Sequence, residues 1–358
     1  MSKGNINYKY LKRNRRRRSW FSRNKKVLII IAAVIVIAVL VFGGIKLSKS
    51  GIFNKNSNSS NESGNTINDN KENNNDVNGQ SDNNDNVTWI DDKEPEIETY
   101  RRDYTVPADQ KYPYFIKVNR AANCVTVYGI DENGSYSIPV IAFACSCGKP
   151  GDETIVGENY KTTDKYEWRL MVDNSYGHYA FRINGGYLFH SVPYLSAAND
   201  SLETDQYNKL GDFASLGCVR MCVRDVKWLY DNCPAGTKVT IYDDKDNPGP
   251  LGKPESIKLP EDNPDSKWDP TDPAEGNPWA SHSASIDGTK DIVTKIGEKV
   301  NLLDGVTAKD TCGNDITDKI KTVGHYTFDQ AGEYDIKYTV TDAIGSKAEK
   351  VVKLKVEK

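Results

Sequence analysis

The sequence predicts a mostly β chain: two β-rich folded regions, the first carrying one short helix, set behind an N-terminal apolar span. Three observations carry this. Short runs of β-branched and aromatic residues, punctuated by Gly, Asn and Asp, fill residues 111–244 and recur over 283–358. Nineteen residues from Val27 to Ile45 run without a charge. Composition shifts twice, to Asn and Ser before the first region and to Pro between the two, which separates folded segments from linkers.

At 358 residues the chain has room for one to three domains. Its net charge of −3 hides an asymmetry, because residues 1–26 hold 11 Lys and Arg and no acid. A basic block of this kind suits nucleic acid, but the next element explains it better. The run "VLIIIAAVIVIAVLVFGGI" over 27–45 is close to the roughly 20 apolar residues that a membrane-crossing helix needs. By the positive-inside rule residues 1–26 form a cytoplasmic tail, and everything after Lys46 is extracellular. A cleaved signal peptide is the alternative. Its apolar part is usually about 7–15 residues and ends at a small-x-small site. The run here is longer and no clean site follows, so the expectation is a single uncleaved transmembrane helix and no nucleic-acid partner. The first cysteine is Cys124, which excludes lipid anchoring on a cysteine just past the span.

Residues 46–110 form a stalk and lead-in. Ser48 to Asn86 is Asn-, Ser- and Asp-rich and cannot bury enough apolar surface to offset its ordering entropy. Region 111–244 opens with the strands "YFIKVNR", "CVTVYGI" and "YSIPVIAFACS". The Asn-Gly of "GIDENGSY" marks a hairpin between two of them. A long Gly-containing passage follows, then a second hairpin in "YAFRINGGYLFHSV". After "GDFASLGCVRMC", Val226, Leu229, Tyr230 and Cys233 share one face at helical spacing, "CPAG" stops the helix, and "TKVTIYDD" closes the region as a strand. Residues 245–282 include 8 of the 15 prolines and read as a semi-extended linker. Region 283–358 alternates apolar and polar residues between short turns and reads as a small antiparallel sandwich.

Seven cysteines in an extracellular chain suggest disulfides, but the number is odd. Cys222 and Cys233 bracket the helix. Their pairing with each other, or with Cys124, Cys145 or Cys147, is left open, and Cys312 has no partner in its own module. Zinc fits only loosely, since "CSC" and "CVRMC" lack the repeated half-site spacing of a structural site. No metal or other cofactor is expected. A single nucleophilic thiol is the better reading. Cys218 follows Gly217 on a turn between strands and a helix start, where successive N–H groups can converge on an oxyanion. Of the four histidines, His282 falls in the linker and His325 in the last region. That leaves His190 and His178 as bases, with His178 read as a loop or surface residue.

"FHSV" followed by "SLGCVRM" resembles the His … Ser-x-Gly-Cys signature of L,D-transpeptidases with the YkuD-type catalytic domain. The resemblance covers about 111–244 and implies a β-sandwich with a short helix after the cysteine. Two departures stand out. Leu216 occupies the position of a common second histidine, and the segment between His190 and Ser215 is longer than usual, as a lid, a substrate-facing loop or a solvated insertion. The last region resembles the immunoglobulin-like modules of bacterial surface proteins, which implies a spacer or a wall-binding module.

What the transpeptidase resemblance implies is a thioester mechanism on peptidoglycan stem peptides. Cys218 would attack a tetrapeptide stem, expel D-Ala, and pass the acyl group to a neighbouring stem as a 3→3 cross-link. His190 would hold the thiol proton as half of a thiolate–imidazolium pair, oriented by the Ser191 carbonyl. Backbone N–H groups of Gly217 and Cys218 would form the oxyanion hole. Arg220 would bind a substrate carboxylate or brace the loop, and Ser215, Tyr176 and Tyr179 would complete the substrate-binding set. Carbapenem-type inhibitors follow as expected ligands, and a Gram-positive surface as the location. The rivals are L,D-carboxypeptidase hydrolysis, protein-to-wall attachment by the same thioester, and a non-catalytic wall-binding protein.

Overall fold

The computed structural model describes residues 87–93 and 100–358. The expected tail, transmembrane span and nearly all of the stalk lie outside the described residues. Among the described residues no helix is long and apolar enough to cross a membrane.

The chain begins with a short strand, β1 (Ile90–Asp92). The first β-rich region then builds two sheets. One contains β2 (Tyr114–Asn119), β3 (Cys124–Gly129), β4 (Ile138–Ala144), β5 (Gly157–Lys161) and β10 (Lys238–Tyr242), in the order β4-β3-β2-β10-β5. The other contains β6 (Lys165–Leu170), β7 (Tyr176–Asn184), β8 (Tyr187–Ser191) and β9 (Val219–Met221), in that order. Both expected hairpins form. In the first, Asp131 Oδ1 accepts the N–H groups of Asn133 and Ser135 and shapes the turn. The "long Gly-containing passage" turns out to hold β5 and β6. Their mixed side chains are only partly buried, which removes the alternation that marks a strand.

Ile116, Val118, Val125 and Val127 of the first sheet meet Phe181, Phe189, Val219 and Met221 of the second in one buried core. A helix, α2 (Val223–Asn232), adds Val226 and Leu229 to it. Truncating a buried phenylalanine such as Phe189 to Ala typically costs about 3–5 kcal/mol.

The last region contains β11 (Ser285–Asp287), β12 (Ile292–Lys295), β13 (Thr307–Lys309), β14 (Lys321–Tyr326), β15 (Gly332–Thr341) and β16 (Lys347–Glu357). Its main sheet runs β1-β14-β15-β16-β12. Residues from the lead-in therefore complete the sheet of the C-terminal module: Ile90 pairs with Tyr326, and Trp89 stacks on His325 at 4.5 Å. A little later the chain reaches the first region, where Arg101 bridges Ile141.

Two expectations about connecting segments change. The Pro-rich segment is packed down rather than a free spacer. Ile257, Leu259 and Trp279 are buried with Tyr194, Leu202, Tyr207 and Leu210 in a further core that also takes Cys222 and Cys312. The long segment before Ser215 is exposed at Leu195–Ala197 and packed down over much of the rest. It forms a four-residue helix, α1 (Thr204–Tyr207), and is stitched to the Pro-rich segment through Thr204 to Ser266, Leu202 to Lys267 and Asn208 to Leu259. Two stretches that look loose in isolation bury each other.

Candidate active site

Parallel pairing of β8 with β9 sets Phe189 opposite Val219, His190 opposite Arg220 and Ser191 opposite Met221. Paired residues share a face and successive residues alternate. Phe189, Val219 and Met221 therefore enter the core, while His190 and Arg220 lie on the other face. Cys218 comes one residue before β9, so it falls on that same face, beside the start of β8. This puts the three residues of greatest chemical interest together.

Gly217 lets the chain turn into β9, with φ at +118°, a conformation that favours glycine. A Cβ there would also meet the Tyr187 ring at 2.9 Å. The turn is held from within: the Gly217 N–H donates to Ser215 Oγ at 3.1 Å, and the Ser215 hydroxyl donates to the Cys218 carbonyl at 2.6 Å. Ser215 is fully buried. It braces the turn instead of meeting substrate, which corrects its expected role. The Gly217 N–H, expected to face an oxyanion, is committed to Ser215 in this state.

Cys218 is half-buried, with Sγ 3.7 Å from the Gly186 carbonyl. Burial raises its pKa, opposed by a backbone hydrogen bond from Leu188 and by the positive charges of Arg220 and Arg182. His190 is buried, and burial together with the Arg220 charge pushes its pKa down to about 3, against opposing pulls from Ser191 and the Asp173 carboxylate. Both shifts favour the uncharged forms. Desolvation is the largest cause of both shifts, so burial opposes the charged forms of the thiol and of the imidazole. Gly177 leaves room for the imidazole: a Cβ there would sit 2.8 Å from His190 Nδ1.

Arg220 is buried, donating to Gln206 Oε1 at 3.1 Å and to the Ala214 carbonyl at 3.2 Å, with Asp173 Oδ2 at 3.8 Å. Its contacts brace the loop that leads into the turn. Among the described residues few buried side-chain polar atoms lack a partner, and two of them, His190 Nδ1 and Arg220 Nε, belong to this cluster. Such atoms are costly and call for a reason.

His178 is not a surface residue. It is buried between Trp168 and Tyr179, with both ring centroids at 3.9 Å, and its pKa falls to about 4 through burial and nearby Lys227. Its backbone N–H donates to Ser191 Oγ at 2.9 Å. Tyr179 stacks on that imidazole and carries Lys227 over its ring, while Tyr176 packs against the third core. Both tyrosines are half-buried, and these are among the contacts the structure gives them. The tyrosine beside the thiol is Tyr187, which the sequence reading missed, as it missed Asp173 and Gln206. No spacing signal marks them, because they arrive from a hairpin tip, a turn and the short α1.

All seven cysteines are free, so none of the expected disulfides is present. Among the described residues no group of three or more His, Cys, Asp or Glu is arranged to hold a metal.

Residues 113–241 match the family model of the L,D-transpeptidase catalytic domain, YkuD, and residues 284–356 match that of the bacterial surface protein Ig-like domain. The Bacillus subtilis (strain 168) protein YciB, itself assigned to the L,D-transpeptidases, is 30% identical over 149 residues, which is 39% of this chain and 74% of YciB. The chain belongs to the L,D-transpeptidase family. Among solved structures, an L,D-transpeptidase from Mycobacterium smegmatis is 17% identical, covering 36% of this chain and 58% of that one at a TM-score of 0.29. A fused amidase/peptidase/peptidoglycan-binding-domain protein from Clostridium acetobutylicum is 25% identical, covering 36% and 52% at the same TM-score. The chain spans a little over half the length of these solved chains. An L,D-transpeptidase solved in complex with imipenem is 20% identical over 36% of this chain and 59% of that one, at a TM-score of 0.29. In this L,D-transpeptidase the YkuD-type region carries the thiol cluster, and the immunoglobulin-like domain takes an added strand from the lead-in.

Proposed function

We propose that the chain is a peptidoglycan L,D-transpeptidase that forms 3→3 cross-links through a thioester on Cys218. The observation that carries the reading is the β8–β9 register, with His190 and Arg220 as neighbours and Cys218 on their face. Cys218 attacks the carbonyl after the third stem residue of a tetrapeptide, and His190 takes the thiol proton as attack proceeds. Burial opposes charge on both groups, which suits a transfer in which the proton moves as attack proceeds. D-Ala leaves with the proton from His190. The side-chain amine of a second stem then displaces the thiol.

The Cys218 N–H serves the oxyanion, joined by Gly217 if Ser215 Oγ releases it. Arg220 keeps the turn in place, and its unpartnered Nε is the donor available to substrate. Carbapenems act as acylating inhibitors, in line with the family member solved with imipenem. The topology is that of the sequence reading, with a cytoplasmic tail over 1–26, one membrane span over 27–45 and the catalytic region outside a Gram-positive membrane.

Incubation with disaccharide tetrapeptide, read by mass spectrometry, tests this. A cross-linked dimer with loss of D-Ala is expected. Tripeptide alone would mean the carboxypeptidase reading, and unchanged substrate would end the catalytic one.

A further inference from the structure

Two buried cysteines that the mechanism does not use lie directly behind the turn that carries Cys218. Cys145 and Cys147 are both fully buried, and their sulfurs are 3.9 Å apart. Of the contacts between cysteines, this is the one close enough to be drawn as a sulfur–sulfur interaction among the described residues. The segment they occupy grips the turn on both sides. Before Cys218, the Cys147 carbonyl accepts the N–H groups of both Ala214 and Ser215, each at 3.0 Å. After Cys218, Ser146 exchanges both backbone hydrogen bonds with Arg220, at 2.8 and 2.9 Å. On its far side the Cys147 N–H is fixed by Asn123 Oδ1 at 2.8 Å. A change in the shape of Cys145–Cys147 therefore moves the acceptors that hold the turn.

We propose that Cys145 and Cys147 are an oxidation site: they close to an intrachain disulfide, and this closure slows the reaction at Cys218. The second part of the proposal rests on Cys218 being the nucleophile, whereas the first does not. The oxidant is a disulfide, either a small molecule or a protein. One thiol of the pair, as thiolate, attacks a sulfur of that disulfide and expels one thiolate. The other thiol attacks the resulting mixed disulfide and expels the second. The pair loses two protons and two electrons, and the oxidant is recovered as two thiols. A disulfide needs about 2.05 Å between sulfurs and a Cα separation of about 4.4–6.8 Å. Closing the present 3.9 Å gap moves the sulfurs by roughly 2 Å in a fully buried segment, and the proposed slowing follows where that movement reaches the Cys147 carbonyl. Because both thiols are buried, and Cys145 is pushed well above the ordinary thiol range mainly by burial, oxidation proceeds through local opening and is slow beside labelling of Cys218.

The test uses the whole extracellular chain, incubated with oxidised glutathione and then with imipenem for timed intervals. It is quenched in denaturant with N-ethylmaleimide, and intact masses and peptides are read. The expected result is a species with two labels fewer, mapping to the peptide with Cys145 and Cys147, free of glutathione and restored by dithiothreitol. That species should gain imipenem roughly tenfold more slowly than the fully reduced species in the same tube, since displacements near 1 Å can cost on the order of 10²-fold. Cys145→Ser and Cys147→Ser should each prevent its formation. Full labelling of Cys145 and Cys147 after oxidation, or a disulfide that maps to other cysteines, overturns the site; loss of the Cys218 label to imipenem is expected in every sample and counts for neither outcome. Equal imipenem rates in the two species overturn the regulation. Failure of both species to gain imipenem counts against the nucleophile assignment, while the label map still decides the disulfide.

Discussion

At the Cys218 end of the Ser215–Val223 stretch, His190 and Arg220 keep buried polar atoms without partners. At the Val223 end the first donors of α2 are met by side chains from far along the chain. Asp269 Oδ2 accepts the Val223 N–H at 2.7 Å, and Thr271 Oγ1 accepts the Arg224 N–H at 3.1 Å. The residue at the cap position of α2, Cys222, makes no side-chain cap of its own. The Pro-rich segment supplies the cap instead. Five residues separate a thiol whose neighbours keep unmet polar atoms from a helix start whose first two donors are both met, although the Tyr194 hydroxyl and Asp272 Oδ2 of that support also lack partners. The difference teaches where rigidity resides: the support is fixed so that the site can keep unmet donors for a ligand.

The largest test of this contrast is at the thiol. Cys218→Ala should abolish covalent gain of imipenem mass, while thermal unfolding stays within a few degrees of the wild type. His190→Ala should slow acylation by about 10²–10⁴-fold, the usual worth of a positioned base, as measured by the rate of that mass gain. A variant that reacts normally would remove His190 from the mechanism.

Asp269→Ala probes the other end. Loss of a side-chain cap typically costs about 0.5–2 kcal/mol, and denaturant unfolding should show at least that much. If stability is unchanged, the Pro-rich segment is not the support described here.

Acidity separates the two ends further. Burial raises the Asp269 carboxyl to about 6 from an ordinary 3.8. Between those values the folded chain holds a proton that the unfolded chain has released, so this group's contribution to stability grows as pH falls through the window. His178 runs the other way. Burial lowers it to about 4 from 6.5, so its contribution is complete above 6.5 and is lost as pH falls towards 4. On going from pH 6.5 to 4, melting temperatures should therefore improve for His178→Phe relative to wild type and worsen for Asp269→Asn. Parallel curves for all three proteins would contradict both assignments.

The smallest expected effect is catalytic. His178→Phe preserves a flat ring between Trp168 and Tyr179, so imipenem acylation should change by no more than about twofold at neutral pH. A loss near that of His190→Ala would transfer the base role to His178.

How much was legible in advance follows from range. The hairpins and the helix after Cys218 were readable because β-branched runs, Asn-Gly turns and helical spacing act over a few residues; the pairing of His190 with the Ser-x-Gly-Cys turn came from the family resemblance. β5 and β6 were not, since partly exposed strands lose their alternation. The burial of Ser215 and His178 was not legible because burial depends on neighbours that no local pattern names. Ser215 looks like any exposed turn serine until the Cys147 carbonyl, the Gly186 carbonyl and the Tyr187 ring are seen beside the turn.

By itself the sequence determined the mostly β character, the nucleophile candidate and its glycine turn, and the two β-rich regions. Tertiary structure alone decided that the Pro-rich segment caps α2, that the lead-in strand completes the C-terminal sheet, and that Cys145 and Cys147 lie behind the reactive turn. The physical reason is that hydrophobic periodicity and turn chemistry are local properties of a chain. Hydrogen-bond partners 46 residues apart, as for Val223 and Asp269, exist only once the chain has closed on itself.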